Sequence, residues 1–266
     1  MSSRNSSKHA LLHFHDEGQG KIIVLLHGFL ESHSIWKHFS KELAKEYRII
    51  SIDLPGHGRS HGTADILSME EAAKEVHAVL EEAGVENCFM VGHSMGGYVT
   101  LAFAELFPHM LKGICLFHST ASADSEEKKA GRNRSIEAVR KNHTTFISNL
   151  IPSLFAEQNR EKLHSEIEDL KKLAQKTSAH SITAALGGMR DRKDRTSLLK
   201  SFRFPVLYIP GRHDIVIPVD SLIAQAGLPK NALTLVLEDS GHMGFIEEPE
   251  ESLVIVQNFA RSCFSR

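Results

Sequence analysis

The sequence predicts an α/β fold: a mostly parallel, doubly wound sheet of seven to eight strands, with helices on both faces and a helical cap insertion. Two observations predict it. Short, continuous apolar runs alternate with segments of helical spacing along most of the chain. Continuous apolar strands between helices are typical of a parallel sheet that is covered on both sides. Residues 121–190 interrupt the alternation with polar, charged segments.

The individual elements follow from the spacing of apolar residues. Strands are predicted at residues 10–15, 21–26, 48–54, 87–91, 111–117, 205–209 and 232–237. Helices are predicted at 36–47, 68–83, 98–107 and 219–226. The second helix has the clearest start, because Ser68 is followed three residues later by Glu71, the spacing of a capping box.

The insertion follows the strand that ends near His118. Residues 136–150 and 161–176 have helical spacing, and no strand-like run occurs there. We predict that residues 121–190 form a cap over the strand ends, between core segments 1–120 and 191–266; the alternative is a pair of helices on the flank of the sheet. The polar residues 1–9 are expected to be a disordered tail.

The run Arg190–Arg195 after the insertion alternates basic and acidic residues. We expect it to be a solvated connector. The alternative is that one of its arginines binds an anionic part of a substrate.

Composition narrows the possible functions of the 266 residues. The net charge is −2, so a nucleic-acid partner is not expected. No apolar run reaches 18 residues and the N-terminus lacks an apolar signal core, so neither a membrane span nor export is expected, and a cytoplasmic location is the default. Three cysteines form neither a disulfide framework nor a zinc motif. The oligomeric state is not encoded in any pattern we can identify.

The segment Gly92-His93-Ser94-Met95-Gly96 lies between a predicted strand and a predicted helix. Strand, turn and helix are the context that a Gly-x-Ser-x-Gly nucleophile motif requires. The glycines remove side chains that would collide at a sharp turn, and the serine hydroxyl is presented at the end of the sheet. Ser94 is therefore the candidate nucleophile.

A serine hydroxyl needs a neighbouring base, and the base needs an orienting group. His242 is the candidate base because it follows an apolar strand and the turn-permitting Gly241. Asp214 is the candidate acid because it follows the preceding strand after a glycine turn, and Asp124 is its rival. The chain order Ser, Asp, His is one of the known orders for such triads.

The developing oxyanion needs two N–H donors, which we assign to the backbone of Met95 and Phe29. No metal or organic cofactor is required for this chemistry. His13 and His15 form a His-x-His pair, but no further metal ligand is evident nearby, so a metal site there is disfavoured.

Four segments resemble the α/β-hydrolase fold superfamily, in particular capped bacterial esterases that act as serine hydrolases. They are 27–29 (HGF), 53–60 (DLPGHGRS), 92–97 (GHSMGG), and 211–214 (GRHD) with Gly241-His242. The resemblance implies Ser94 as nucleophile, His242 as base and Asp214 as acid. It disfavours haloalkane dehalogenases and epoxide hydrolases, which have aspartate where Ser94 stands.

The expected function is hydrolysis of a small carboxylic ester or thioester through an acyl-enzyme on Ser94, with a small acyl compound as partner. Two alternatives stay open. One is carbon–carbon bond hydrolysis by the same residues, although the enzymes of that kind usually have tryptophan where Met243 stands. The other is a ligand-binding protein on a hydrolase scaffold.

Overall fold

The computed structural model describes residues 12–62 and 64–265, so the predicted tail at 1–9 lies outside the described residues. One sheet of seven strands has the order β1-β3-β2-β4-β5-β6-β7, and all neighbouring pairs are parallel except β1 with β3. The predicted fold class is confirmed. The strands are β1 (Phe14–Gly18), β2 (Ile22–Leu26), β3 (Arg48–Ile52), β4 (Cys88–His93), β5 (Leu111–Phe117), β6 (Val206–Ile209) and β7 (Ala232–Thr234).

The burial of each strand follows its place in the sheet. β4 is completely buried in the centre, as its unbroken apolar run requires, whereas the edge strands β1 and β7 are mostly exposed. Exposure also explains two wrong boundaries. Within the described residues β1 begins at Phe14 and continues to Gly18, because polar residues suffice at an edge; positions 10 and 11 of the predicted strand lie outside the described residues. β7 ends at Thr234, although the N–H groups of Leu235 and Leu237 still donate to carbonyl oxygens of residues 208 and 210.

Helices cover both faces of this sheet. In the core they are α1 (Lys37–Leu43), α2 (Met69–Glu82), α3 (Met95–Leu106), α7 (Thr196–Leu199), α8 (Val219–Ala226), α9 (Gly244–Glu247) and α10 (Pro249–Phe264). The capping box of α2 is present, since the Ser68 hydroxyl accepts a hydrogen bond from the Glu71 N–H at 3.2 Å. No helix among residues 12–62 and 64–265 combines the length and apolarity needed to cross a bilayer.

The insertion between β5 and β6 consists of three further helices: α4 (Glu126–Ser153), α5 (His164–Ala174) and α6 (Ala179–Asp191). α4 is kinked at Asn142, whose φ and ψ are −163° and 96°. α6 is absent from the predicted helices because its buried face is built largely from small residues, which give little hydrophobic contrast. Gly188 is one of them, and a Cβ there would lie 1.6 Å from the Leu67 carbonyl oxygen.

The expectation of a solvated connector at Arg190–Arg195 is wrong for two of its arginines. Arg192 is 6% exposed and donates to Asp124 Oδ1 at 2.7 Å and to the carbonyl oxygens of Ser122 and Met189. Its guanidinium also lies 4.0 Å from the centre of the Tyr98 ring. Arg195 is equally buried and pairs with acidic residues of α2 and α3. These arginines fasten the end of the insertion to the core.

Replacing Arg192 with Ala should lower the free energy of unfolding by about 3 kcal/mol or more, because Asp124 and two carbonyl groups lose a buried partner. Lys193→Ala, at the adjacent exposed position, should change it by less than about 0.5 kcal/mol. Urea unfolding at neutral pH measures both. Equal losses in the two variants would contradict a fastening role for Arg192.

Candidate active site

Ser94 lies in a sharp turn between the last residue of β4 and the first residue of α3. Its φ is 49°, in the left-handed region that side chains other than glycine rarely adopt. Glycine is required on both sides of the turn. A Cβ at Gly92 would lie 2.5 Å from the Gly96 carbonyl oxygen, and one at Gly96 would lie 2.5 Å from the Leu26 carbonyl oxygen. The structure thus has the turn that the motif predicts.

Ser94, His242 and Asp214 come together at the carboxyl edge of the sheet. His242 Nε2 lies 2.9 Å from Ser94 Oγ, and His242 Nδ1 lies 2.7 Å from Asp214 Oδ2. All three residues are buried, with exposed fractions of 9%, 3% and 6%. A carboxylate on Nδ1 fixes the tautomer in which Nε2 can take a proton from the hydroxyl.

Asp214 is held in place by the chain that follows it. Its Oδ1 accepts hydrogen bonds from the N–H groups of Val216 and Ile217, which leaves Oδ2 for His242. Burial would raise the pKa of this carboxyl, but His242 and His118 outweigh burial and hold the pKa well below its ordinary range. The carboxylate therefore stays ionised at neutral pH. The rival Asp124 is elsewhere and pairs with arginines.

The two predicted N–H donors belong to Met95, which directly follows Ser94, and to Phe29, which lines the same cavity as Ser94. Met95 is the first residue of α3, and the first N–H groups of a helix have no partner within it. No described residue accepts a hydrogen bond from the Phe29 N–H, whereas the neighbouring Gly28 N–H donates to Glu31 Oε2 at 2.6 Å. The close contact of Gly96 with the carbonyl groups of Leu26 and His27 brings these two backbone segments together.

Glu31 and His93 form a buried pair behind the candidate triad that sequence analysis missed. His93 Nδ1 lies 3.1 Å from Glu31 Oε2, and its Nε2 donates to the His242 carbonyl oxygen at 2.9 Å. Burial would lower the pKa of His93, but Glu31 raises it above its ordinary value. Burial would likewise raise the pKa of Glu31, but His93 holds it below its usual range. Both groups are therefore charged.

The pair of Glu31 and His93 cannot be predicted from local spacing, because its two members lie far apart in the chain. His93 is adjacent to Ser94 on the turn, but its Nε2 contacts the backbone of the candidate base. Glu31 lies 62 positions before it in the chain. His118, also missed, is buried with Nδ1 3.4 Å from Asp214 Oδ2, and burial lowers its pKa to about 4, so it is neutral. Its left-handed φ of 46° marks the end of β5.

The loop that carries His242 is clamped from two sides. The His242 N–H donates to the Leu154 carbonyl oxygen at 2.6 Å, at the end of α4 in the insertion. Glu247 Oε1 accepts from the N–H groups of Gly241 and Met243, and its Oε2 accepts from the Ala156 N–H. The position of the candidate base therefore depends on the insertion as well as on the core.

A cavity of about 90 Å³ opens over Ser94 between the sheet and the insertion. Its polar lining includes Ser94, His242, Glu31 and His93 from the core. The insertion contributes both polar and apolar side chains. These are Arg132, Ser135, Phe146, Leu150, Leu154, Leu186 and Met189.

A second histidine cluster lies outside this cavity. His13 Nδ1 and His33 Nδ1 each lie 2.9 Å from an oxygen of Asp53, so the expectation that His13 has no potential ligand nearby is wrong. Asp53 also accepts hydrogen bonds from the N–H groups of His33 and Arg59. The carboxylate is thus fully engaged, and its contacts fix the turn at residues 53–60.

Residues 21–249 match the model of a protein family that is described as the alpha/beta hydrolase fold. The chain belongs to this family. As an α/β hydrolase it is similar in structure to a thermophilic esterase from Thermogutta terrifontis, with a TM-score of 0.91 and 31% identity over 95% of this chain and 93% of that one. The protein is a hydrolase.

Two curated relatives extend the comparison. The dihydrolipoyllysine-residue acetyltransferase component of the acetoin cleaving system of Pseudomonas putida is 30% identical over 243 residues, 87% of this chain, but this chain spans only 61% of that protein. The pimeloyl-[acyl-carrier protein] methyl ester esterase of Aeromonas hydrophila is 26% identical over 91% of this chain and 96% of its own length.

Removing Glu31 should show that the buried pair is charged. Glu31→Ala leaves the His93 imidazolium without a counter-charge and should cost about 3 kcal/mol or more in unfolding free energy. Glu31→Gln should cost less, because the amide keeps the volume of the side chain and its oxygen can still accept from the Gly28 N–H, which shares Oε2 with His93 Nδ1. Urea unfolding measures both, with exposed Glu82→Ala as control. A loss below 1 kcal/mol for Glu31→Ala would refute the charged pair.

Proposed function

We propose that this α/β hydrolase cleaves a small carboxylic ester or thioester through an acyl-enzyme on Ser94. The observation that carries the proposal is the contact chain from Ser94 Oγ through His242 to Asp214, at 2.9 and 2.7 Å, on the floor of a cavity. In this proposal Ser94 is the nucleophile, His242 the base and Asp214 the acid. The insertion, residues 121–190, is the cap that encloses the substrate.

In the first half-reaction, Ser94 Oγ attacks the acyl carbon while His242 Nε2 takes the hydroxyl proton. The carbonyl oxygen becomes an oxyanion, which the N–H groups of Phe29 and Met95 stabilise, each by about 3 kcal/mol. The tetrahedral intermediate then collapses. The bond to the alcohol or thiol breaks, and the leaving group receives the proton from His242 Nε2.

In the second half-reaction, water attacks the acyl-enzyme while His242 Nε2 takes a water proton. Collapse of the second intermediate releases the acid and returns the proton to Ser94 Oγ. Asp214 keeps its negative charge throughout, which its depressed pKa supports, and stabilises the imidazolium that forms twice in each cycle. No step requires a group beyond these side chains, the two N–H donors and water.

The names of similar proteins support an ester as substrate, since both the Thermogutta terrifontis structure and the Aeromonas hydrophila relative are described as esterases. The small cavity supports a short acyl group. Its 90 Å³ is well below the roughly 300–1,000 Å³ of pockets for drug-sized ligands.

Replacing Ser94 with Ala should reduce hydrolysis of p-nitrophenyl acetate by about 10⁴-fold or more, because no acyl-enzyme can form. A fluorophosphonate probe should add its mass to the wild type and to the surface variant Ser201→Ala, but not to Ser94→Ala. Undiminished turnover by Ser94→Ala would exclude the proposed mechanism.

The cavity also predicts a chain-length preference. The kcat/KM for p-nitrophenyl butyrate should exceed that for the octanoate by about 10-fold or more. Leu150→Ala removes part of the cavity wall and should shift the ratio toward octanoate, whereas Leu173→Ala on α5, outside the cavity, should leave it unchanged. A wild type that prefers octanoate would show that the cavity does not set the acyl length.

A further inference from the structure

Arg132 is a cation in the wall of the cavity that contains Ser94 and His242. It lies in the first half of α4, and 21% of its side chain is exposed. Its Nε donates to Asp124 Oδ2 at 3.1 Å. Within the described part of the chain, its two terminal amino groups have no hydrogen-bond acceptor. One edge of the guanidinium is therefore held by the protein, and the other is available to a ligand.

Arg132 shares its carboxylate partner with a second arginine. The single carboxylate of Asp124 is shared between Arg132 and the fully buried Arg192, at 3.1 and 2.7 Å. Lys128, one turn earlier on α4, lies 3.4 Å from the carbonyl oxygen of Val216 at the cavity wall. Burial lowers the pKa of Lys128, Asp124 raises it, and the two arginines lower it further. Three basic side chains thus surround one carboxylate.

Other acids near the cavity reduce this excess, because a carboxylate that is hydrogen-bonded to neutral groups keeps its charge. The Glu31 charge is balanced by the His93 imidazolium. The Asp214 and Asp194 carboxylates are hydrogen-bonded to neutral groups and stay charged. An anion in the cavity would therefore be recognised by the unoccupied edge of the Arg132 guanidinium, and not by a net charge of the wall.

The same wall has a second polar group. Ser135 lies three residues after Arg132, on the same face of α4, and also lines the cavity. Beyond the kink at Asn142 the lining of α4 becomes apolar, with Phe146 and Leu150. The cavity thus has a polar, cationic part and an apolar part, and the terminal fork of a guanidinium matches a carboxylate through two parallel hydrogen bonds.

We infer that the substrate is an ester or thioester that carries a carboxylate a few carbon atoms from the scissile carbonyl, and that Arg132 binds this carboxylate. The inference rests on the proposed function and specifies its substrate class. The small volume of the cavity limits the spacer, because Ser94 and Arg132 line the same 90 Å³. Half-esters of short dicarboxylic acids have this form.

The test compares monomethyl glutarate with methyl 4-carbamoylbutanoate, in which a neutral amide replaces the carboxylate. For the wild type, kcat/KM should be about 10- to 100-fold higher for the carboxylate, the range expected for hydrogen bonds between charged groups. In Arg132→Gln this ratio should fall below about 3, mainly through KM for monomethyl glutarate, and Arg132→Lys should give an intermediate ratio. Arg134→Gln, an exposed position on the same helix, should keep the wild-type ratio.

Glutarate itself provides a second readout that needs no variant. It should inhibit the wild type competitively, and glutaramide at the same concentration should not. A wild type without preference for the carboxylate overturns the inference, even if Arg132→Gln fails to fold. If Ser94-dependent hydrolysis of neutral esters persists in that case, the proposed function stands and only the substrate class is wrong. If neither ester is cleaved and the fluorophosphonate does not label Ser94, both proposals are overturned.

Discussion

The left-handed backbone of Ser94 is the constraint on which the rest of the site depends. A φ of 49° at a serine is unfavourable by itself, on the order of 1–2 kcal/mol, so the surrounding packing has to enforce it. That packing is unusually close. The first turn of α3 lies directly against the carbonyl groups at the end of β2, and a Cβ at Gly97 would lie 2.2 Å from Ser119 Oγ. Only glycine at these positions lets helix and sheet approach far enough to hold the turn.

The buried pair of Glu31 and His93 extends this constraint to the other loops. One carboxylate accepts from the Gly28 N–H after β2, and the imidazolium that faces it donates to the backbone of His242 after β7. The segment with the Phe29 N–H, the turn with Ser94 and the loop with His242 are thus joined by three hydrogen bonds through one charged pair. Because both charges are shielded from water, loss of either partner leaves the other charge uncompensated.

Much of the fold could be predicted from the sequence, because a sheet buried on both faces requires continuous apolar strands. The prediction was weakest where burial does not require apolar residues, as at the edge strand β1, or where small residues replace a hydrophobic stripe, as in α6. For the site, local spacing was enough to nominate Ser94, Asp214 and His242, which the structure brings within hydrogen-bond distance. It could not reveal Glu31 with His93, or Arg192 with Asp124, because buried ion pairs join residues far apart in the chain and look like solvated charges in sequence.

The hydrogen bond between the Leu154 carbonyl oxygen and the His242 N–H has a consequence for engineering this scaffold. The stretch of the insertion before the kink at Asn142 has no such bond to the base loop, so its cavity-facing residues can be randomised to change substrate scope. The residues around Leu154 and Ala156 cannot be exchanged as freely, because they share contacts with Gly241 and His242. When a foreign cap is grafted onto this scaffold, the new segment should therefore end before Leu154, and the native residues should be kept from Leu154 onward.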